Sequence, residues 1–564
     1  MLVTVNNSCS RGDSHDIIAY LISPLNYRIN MVFKTWIDSG RISHINNLTL
    51  RIATVAITML FSGCTLGPDF TSPPSPDTKS YTTGKPSNRI TTTSSETGAA
   101  QTLAFGKDIQ GQWWTLFRSP ALTKLIEQAM KHSPDLQAAL YALTEAQENA
   151  SAKQGSLFPA LDLSSKALRQ KITGAQFGAP NFPGTTYTLS SVSVNVAYTL
   201  DVFGAIRRQI EGFEAQAEYQ QFQLEAAFLT LASNVVTTAI QEASLRAQIN
   251  ATEEIIKAQA RQLDLVNQQF DLGAASKVDV LALQSTLEQT RTTLPPLQLQ
   301  LAETRHRLTV LTGELPSTGL VAQFKLSDLH LPEELPLSLP SKLVQQRPDV
   351  RAQEALLHAA SAEIGVATAR LFPDFTINAN VGSIATRLGD LFVPGSAIWS
   401  FGGNLLQPVF HGGELIHKER AAVAAYEQAA AQYRSTVLQA FQNVADTLSA
   451  LEFDAAGLKT QDAAVRAALD SLKLSRLAYQ IGAVSYLSLL NSERDYQQTR
   501  IGQINAQARR YADTAALFQA LGGGWWNRTD LSRTLLADPQ KKNNIRIDRC
   551  KDLDKARKYF CLKL

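Results

Sequence analysis

Few residues in this sequence have the types and spacing that catalysis or metal binding needs. Its eight histidines and four cysteines show no metal-ligand spacing such as Cys-x-x-Cys. No glycine-rich phosphate loop follows a predicted strand, and Gly522-Gly523-Gly524 follows a predicted helix, where glycines form a C-cap. The pairs Trp113-Trp114 and Trp525-Trp526 could form sugar-binding platforms, but their places at the two ends of the folded part favour packing. We therefore expect no enzymatic activity, no catalytic residue and no metal.

Cys64 stands in a context that indicates covalent modification. The apolar run Ile52–Phe61 is preceded by Arg51 and followed by Ser62-Gly63-Cys64. A basic flank, about ten apolar residues and small residues before a cut are typical of a secretory signal. A cysteine directly after the small pair indicates a lipoprotein signal, although Phe61 occupies a position where leucine is usual. We predict that Cys64 carries an N-acyl diglyceride; the alternative is a stray apolar patch with a core cysteine.

The charge distribution argues against nucleic acid as a partner. The whole chain has a formal net charge of +3. Ten Lys/Arg and four Asp lie between Arg533 and the C-terminus, which leaves the rest of the chain slightly acidic. The basic residues therefore belong to a tail, which we expect to be disordered, and they do not form a groove for a polyanion.

Two halves of the chain repeat the same landmarks in the same order, which indicates an internal duplication. Pro134-Asp135-Leu136 and Leu157-Phe158-Pro159 recur 214 residues later as Pro348-Asp349-Val350 and Leu371-Phe372-Pro373. Three further landmarks recur 207 to 210 residues later. The predicted divisions are 1–63 as N-terminal extension and signal, 64–111 as lipid-anchored extended segment, 112–318 and 319–526 as first and second repeats, and 527–564 as basic tail.

Each half contains a helix, alternating segments and then a very long helix. Predicted first helices span about 134–157 and 341–371. Apolar and polar residues then alternate, as in Val192, Val194, Val196 and Tyr198 against Ser193 and Asn195, and each half has room for two such two-faced strands.

The long helices are predicted over 205–271 and 412–480, which contain no proline. Their apolar residues step by three and four, as in a coiled coil. Each helix breaks at a glycine, Gly273 or Gly482, and returns as a second helix, which Pro295-Pro296 should interrupt in the first half alone.

Four strands per chain cannot span a membrane alone. Open sheet edges in hydrocarbon leave backbone groups unsatisfied, and a closed barrel needs about eight strands or more. Three chains that share twelve strands are the economical solution, and the long helices would then continue the barrel as a second tube. The helices alone would also suit a periplasmic coiled-coil tether, but a tether needs no two-faced strands.

The motifs in this order resemble the TolC-like outer-membrane efflux proteins, in particular the lipoprotein branch typified by OprM and NodT. The resemblance runs from Cys64 to about Trp526, and its carriers are Trp113-Trp114-x-x-Phe117, Tyr198–Gly204, the two Gly-x-x-Ser turns and Ala520–Trp525. It implies a mainly α fold with a membrane β-barrel: a homotrimer with a 12-stranded β-barrel joined to a long α-helical barrel. The chain would lie in the bacterial outer membrane, in contact with its lipid, and extend into the periplasm.

The resemblance also implies a passive exit duct for drugs or other small toxic molecules. Its partners would be a periplasmic adaptor protein and an inner-membrane RND-type pump, which supplies the energy. The outer-membrane duct of a type I protein secretion system has the same architecture and is the alternative.

By resemblance, two helix turns form the periplasmic tip where adaptor hairpins dock. The residues are Gly273, Ala274 and Ser276 in the first half, and Gly482, Ala483 and Ser485 in the second. Glycines that allow a positive φ and serines that cap helices would account for the same pattern.

A periplasmic gate is implied beside the second turn. Family members have a Val/Leu-Leu-Asp-Ala pattern there, with acids that ring the closed tip. This chain keeps Leu487 but has Ser488 and Asn491 in place of the acids, and Asp279 of the first half is the remaining acid nearby. We therefore expect a gate with fewer acidic charges than the family pattern.

Overall fold

The computed structural model describes residues 65–78, 80–83, 89–90, 100–178, 181, 183–319 and 322–528. The predicted signal segment, Cys64 and nearly all of the basic tail lie outside these residues. Within the described ranges, no helix has both the length and the apolar content that crossing a membrane requires.

Helices make up most of the described chain, and two of them are much longer than the others. In chain order the helices are α1 (Pro120–His132), α2 (Pro134–Gln154), α3 (Ala205–Asp271), α4 (Lys277–Thr292), α5 (Leu294–Leu311), α6 (Pro340–Gln346), α7 (Pro348–Ala369), α8 (Glu414–Gln480) and α9 (Tyr486–Ala520). The strands are β1 (Arg89–Ile90), β2 (Gln101–Phe105), β3 (Ala160–Ile172), β4 (Thr185–Leu200), β5 (Glu334–Leu337), β6 (Asp374–Ala385) and β7 (Ala397–Leu406).

Prolines determine where the first helix of each half begins. Pro134 occupies the first turn of α2, and the Ser133 side chain accepts a hydrogen bond from the backbone three residues on. The predicted single helix over 341–371 is wrong, because the chain divides there into α6 and α7. Arg347 between them is extended, with φ −84° and ψ 123°, since the ring of Pro348 disfavours helical conformation in the residue before it.

The two long helices confirm their prediction. α3 and α8 each contain 67 residues, which corresponds to about 100 Å at 1.5 Å per residue. The interruption beside Pro295-Pro296 is also confirmed, because α4 ends at Thr292 and α5 begins at Leu294. The return helix of the second half, α9, is continuous.

The two-faced strands of both halves join in one antiparallel sheet with the order β3-β4-β6-β7. The central pair, β4 and β6, brings the two halves together, so that Asn195 lies opposite Asn380. This joins the duplicated units into one sheet, which confirms the prediction of two strands per half.

A second, small sheet has the order β1-β2-β5. β2, which belongs to the segment predicted to be extended, pairs in parallel with β5 from the connection between the two halves. The sequence indicated the extended conformation of this segment but not its strand partner.

The largest buried cluster packs α1, α3, α8 and α9 around aromatic side chains. The rings of Trp113 and Phe518 stack with centroids 5.2 Å apart, and the Trp525 indole donates to the Gln346 carbonyl at 2.8 Å. The tryptophan pairs thus serve packing, as the sequence favoured, and the Trp526 indole donates to the Asp108 carboxylate at 3.1 Å. A smaller apolar cluster lies beside the helix turns and includes Val266, Leu472 and Leu489.

Candidate duct wall and docking turns

The strand register separates the four-stranded sheet into an apolar and a polar face. Residues opposite each other on neighbouring strands lie on the same face. One row runs Leu163, Val194, Val381 and Trp399, and the adjacent row runs Asp162, Asn195, Asn380 and Ser400. The alternation predicted for single strands therefore extends across the whole sheet.

The apolar face has the dimensions of a membrane-spanning surface. On β4 it extends from Val192 to Leu200, nine residues, and a transmembrane strand needs about 9–11. Large apolar side chains on this face are strongly exposed, with Leu163 at 75% and Trp399 at 80%. Exposed contiguous apolar surface of this size marks an interaction with lipid or protein.

The polar face carries amide, hydroxyl and a few charged side chains. The Asn380 amide donates to the Asn195 side-chain oxygen across β4 and β6. The charged residues on this face of the four strands are Asp162, Lys166 and Asp374. Such a surface suits contact with water.

Both predicted docking turns are tight and exposed. Gly273 has φ +77° and Gly482 has φ +71°, the left-handed conformation that glycine adopts without strain. The N–H groups of Ala274 and Ala483 donate back to carbonyls five residues earlier, at 2.7 and 2.8 Å. A Cβ added to either glycine would meet no atom within 4 Å, so the backbone conformation, and not crowding, requires glycine here.

The serines after these turns cap the following helices. Ser276 accepts from the Asp279 N–H at 3.2 Å, and the Asp279 carboxylate accepts from the Ser276 N–H at 3.2 Å and its hydroxyl at 2.7 Å. This reciprocal arrangement is a capping box. Ser485 accepts from the Ser488 N–H at 3.4 Å and has no carboxylate to complete the box.

The structure brings the predicted gate residues to the same end as the docking turns. Leu487 is 66% exposed, and Ser488 and Asn491 are also exposed. Asp279 is half-buried, because its carboxylate is held in the capping box. It therefore has a structural role that does not depend on a pore.

A buried acid on α9 beside this end was not among the residues predicted from the sequence. Glu493 is 5% exposed and lies 3.3 Å from the guanidinium of Arg476 on α8. Burial raises the pKa of Glu493, and Arg476 opposes that shift. The signal was present in the sequence, because Glu493 continues the buried stripe of Leu489 and Leu490.

A buried arginine fastens the start of the described chain to the helices. Arg208, on the first turn of α3, is 5% exposed and donates to the Leu66 carbonyl at 3.1 Å and the Asp69 carboxylate at 2.7 Å. Gly67 lies against Gly365 of α7, where a Cβ on Gly67 would come within 2.4 Å of the Gly365 Cα. Residues 65–70, here called the strap, thus run along the helices.

Comparison with known proteins shows which protein family has this architecture. The model of the family "Outer membrane efflux protein" matches residues 125–314 and 339–523, more than half of the chain. The toluene efflux pump outer membrane protein TtgC of Pseudomonas putida is 29% identical over 484 residues, which cover 86% of this chain and 97% of that protein. The pyoverdine export outer membrane protein OpmQ of Pseudomonas aeruginosa is 31% identical over 425 residues, which cover 73% and 87%.

A solved structure agrees with the sequence matches. The outer-membrane channel OprN superposes with a TM-score of 0.74 at 26% identity, over 82% of this chain and 100% of that one. The paired halves, the long helices and the two-faced sheet are therefore those of a TolC-like channel protein. The chain belongs to the outer membrane efflux protein family, as an OprM/NodT-type efflux duct of the outer membrane that extends into the periplasm.

Proposed function

We propose that three copies of this chain close one duct, in which the sheets form a 12-stranded β-barrel and the long helices form an α-helical tube. The observation that carries this is the two-faced sheet with an edge strand on each side. Within the described residues β3 and β7 each pair on one side, and both expose apolar side chains such as Leu163 and Phe401. Pairing β3 of one copy with β7 of the next satisfies both edges.

Three copies also give each face of the sheet a suitable surrounding. The apolar face would contact lipid, and the polar face would line a water-filled lumen. The resulting duct needs no catalytic residue and no metal, because it provides a passage and its partners supply the energy.

Disulfide cross-linking tests the closure. The natural cysteines all lie outside residues 65–549. Once Cys550→Ser and Cys561→Ser are made, only Cys9, which the predicted signal cleavage removes, and Cys64, whose thiol the predicted acylation blocks, are left. Leu163→Cys is combined, one pair at a time, with a cysteine at each position of the apolar face of β7 (397, 399, 401, 403 or 405). The pair that lies opposite in the neighbouring copy should give a cross-linked trimer on a denaturing gel. Products that stop at dimers, or no product at any register, would refute a closed ring of three.

The docking turns supply the second part of the proposal. The exposed glycine turns at Gly273 and Gly482 would contact hairpins of a periplasmic adaptor, which connects the duct to an inner-membrane RND-type pump. The gate beside them would consist of Leu487, Ser488, Asn491 and Asp279.

The lipid anchor supplies the third part. Cys64 would carry an N-acyl diglyceride in the outer membrane, one residue before the strap. Thr65, the first residue of the strap, lies against Gly204, which caps the start of α3. The variant Cys64→Ser should lose incorporated palmitate, while equal labelling of the variant and the parent would exclude this site.

The cargo we propose is small organic molecules. Two relatives, TtgC and OpmQ, are proteins of toluene efflux and pyoverdine export. A deletion strain should become sensitive to small toxic compounds and regain resistance with the intact gene. Unchanged resistance with loss of a secreted protein would instead favour the type I secretion duct.

A further inference from the structure

One carboxylate lies level with three neutral polar residues across the polar face of the sheet. The register pairs Asp162 with Asn195, Asn195 with Asn380, and Asn380 with Ser400. Asn195 and Asn380 are joined by a side-chain hydrogen bond, so the middle of this row is ordered by its own contacts. Asp162 is exposed at the end of the row, on the edge strand β3.

The other charges on this face lie too far away to cancel that carboxylate. Lys166 is four residues further along β3, or about 13 Å, and Asp374 begins β6 six residues from Asn380, or about 20 Å. The Debye length is about 8 Å at physiological salt. At physiological salt each charged level therefore acts separately on a solute passing the sheet, whereas at 0.01 M salt, where the Debye length is about 30 Å, Lys166 partly offsets the Asp162 carboxylate.

At the helix-turn end, two of the four predicted gate residues carry no charge. Ser488 and Asn491 are neutral, and the Asp279 carboxylate is held in its capping box. Exposed Asp271 and Lys277 flank the first turn with opposite charges, whereas the Asp162 level of the sheet carries charge of one sign only.

We propose that Asp162 sets a cation preference in the β-barrel part of the duct. The proposal rests on the trimer proposed above, in which three Asp162 carboxylates would surround one level of the lumen with nine amide and hydroxyl groups between them. A ring of like charge raises the local concentration of cations and lowers that of anions. Small cationic solutes would then pass this level more readily than anionic ones.

The size of the effect depends on salt in a defined way. Carboxylates about 10 Å from the axis act on the whole lumen when the Debye length is about 30 Å, at 0.01 M salt, and hardly at all when it is about 3 Å, at 1 M. Neutralising three such charges should lower the K⁺/Cl⁻ permeability ratio about ten-fold at 0.01 M salt and leave it almost unchanged at 1 M.

Planar-bilayer recordings of the full-length protein test the assignment. Asp162→Asn should show the salt-dependent loss of K⁺ preference, and Lys166→Gln should raise the preference. Arg169→Gln is the matched control, because Arg169 is on the same strand but its side chain belongs to the opposite face, and its ratio should stay at the parent value. The double variant Asp162→Asn with Asn195→Asp moves the carboxylate along the same level and should restore the preference.

Two results would overturn the assignment. Either Asp162→Asn keeps the parent permeability ratio at 0.01 M salt, or Arg169→Gln lowers that ratio as much as Asp162→Asn does. If the double variant conducts but does not regain the K⁺ preference, the Asp162 level is not the source of that preference, and the assignment is refuted as well. A parent protein that assembles without conducting would instead refute the proposed duct, and the selectivity assignment with it.

Discussion

Substitutions at Gly482 can separate a role in docking from a role in folding. The change that tests docking is Gly482→Arg, which places a long cation on an exposed turn. The same site with alanine, Gly482→Ala, alters only the backbone preference. If the turn contacts an adaptor, the arginine variant should lose export and the alanine variant should keep most of it.

The structure allows the folding cost of both variants to be worked out. Gly482 has φ +71° and no atom within 4 Å of an added Cβ. A residue other than glycine in this conformation costs about 1–2 kcal/mol, and alanine and arginine share this cost because the Cβ that both carry meets no neighbour. Gly106 has φ +76° and equally open surroundings, so Gly106→Arg is a control with the same backbone cost away from the turns.

The assay combines resistance of cells with the amount of oligomer in the outer membrane. All three variants should assemble at levels close to the parent. Resistance should fall in Gly482→Arg and persist in Gly482→Ala and Gly106→Arg. The reasoning is refuted if Gly482→Arg keeps full resistance, or if all three variants lose oligomer together, since the turn would then serve folding alone.

Three further predictions concern single residues. Asp279→Ala should lower the unfolding free energy by about 1 kcal/mol through the lost capping box, with Asp279→Asn closer to the parent; a loss of K⁺/Cl⁻ selectivity in Asp279→Asn would add a role in the gate. Burial and the neighbouring Asp454 raise the pKa of Asp513 to about 7, so the native state binds the extra proton and stability should fall as pH rises from about 4 to 7. Asp513→Asn should reduce that fall by about 1–2 kcal/mol, allowing for partial exposure, as measured by unfolding midpoints at pH 5.5 and 8. Gly365→Leu should overpack the strap at a cost of about 1–3 kcal/mol and speed its proteolysis, whereas Gly457→Leu, in open space on α8, should not.

Elements defined by local periodicity were predictable from the sequence. The long helices follow from 67-residue segments without proline, and the strands follow from strict alternation. The turns at Gly273 and Gly482 follow because a helix cannot continue through a left-handed residue. Even the serine caps were predictable, since a serine before an apolar run satisfies a free N–H of the first turn.

Contacts between residues distant in sequence were not predictable in the same way. No local pattern connects Arg208 with the Leu66 carbonyl, or pairs β2 with β5. The strand order β3-β4-β6-β7 also depends on which strand edges pair. Alternating residues show which side chains share a face of a strand, but they do not show which strand lies beside it. The break at Arg347 is different: proline disfavours helix in the residue before it, so Pro348 predicts the break, but the helical pattern on both sides of Pro348 concealed it.

The two docking turns, similar in backbone, differ in the strength of their caps. Three hydrogen bonds at 2.7–3.2 Å join Ser276 and Asp279, whereas Ser485 accepts one side-chain bond, at 3.4 Å, from the Ser488 N–H. A capping carboxylate contributes about 1 kcal/mol, which is about a five-fold difference in local opening. Amide exchange should therefore be about five-fold faster in a peptide that covers 486–490 than in one that covers 277–281.

The variant Ser488→Asp provides the decisive comparison, because it supplies the missing carboxylate at the position of Asp279. It should slow exchange in the second turn to the rate of the first. Equal exchange of the two turns in the parent would mean that contacts beyond the cap, such as the Arg476–Glu493 ion pair, determine local stability. The absence of an acid at position 488 would then affect the charge of the tip and not the stability of the turn, and the two docking turns would open at the same rate.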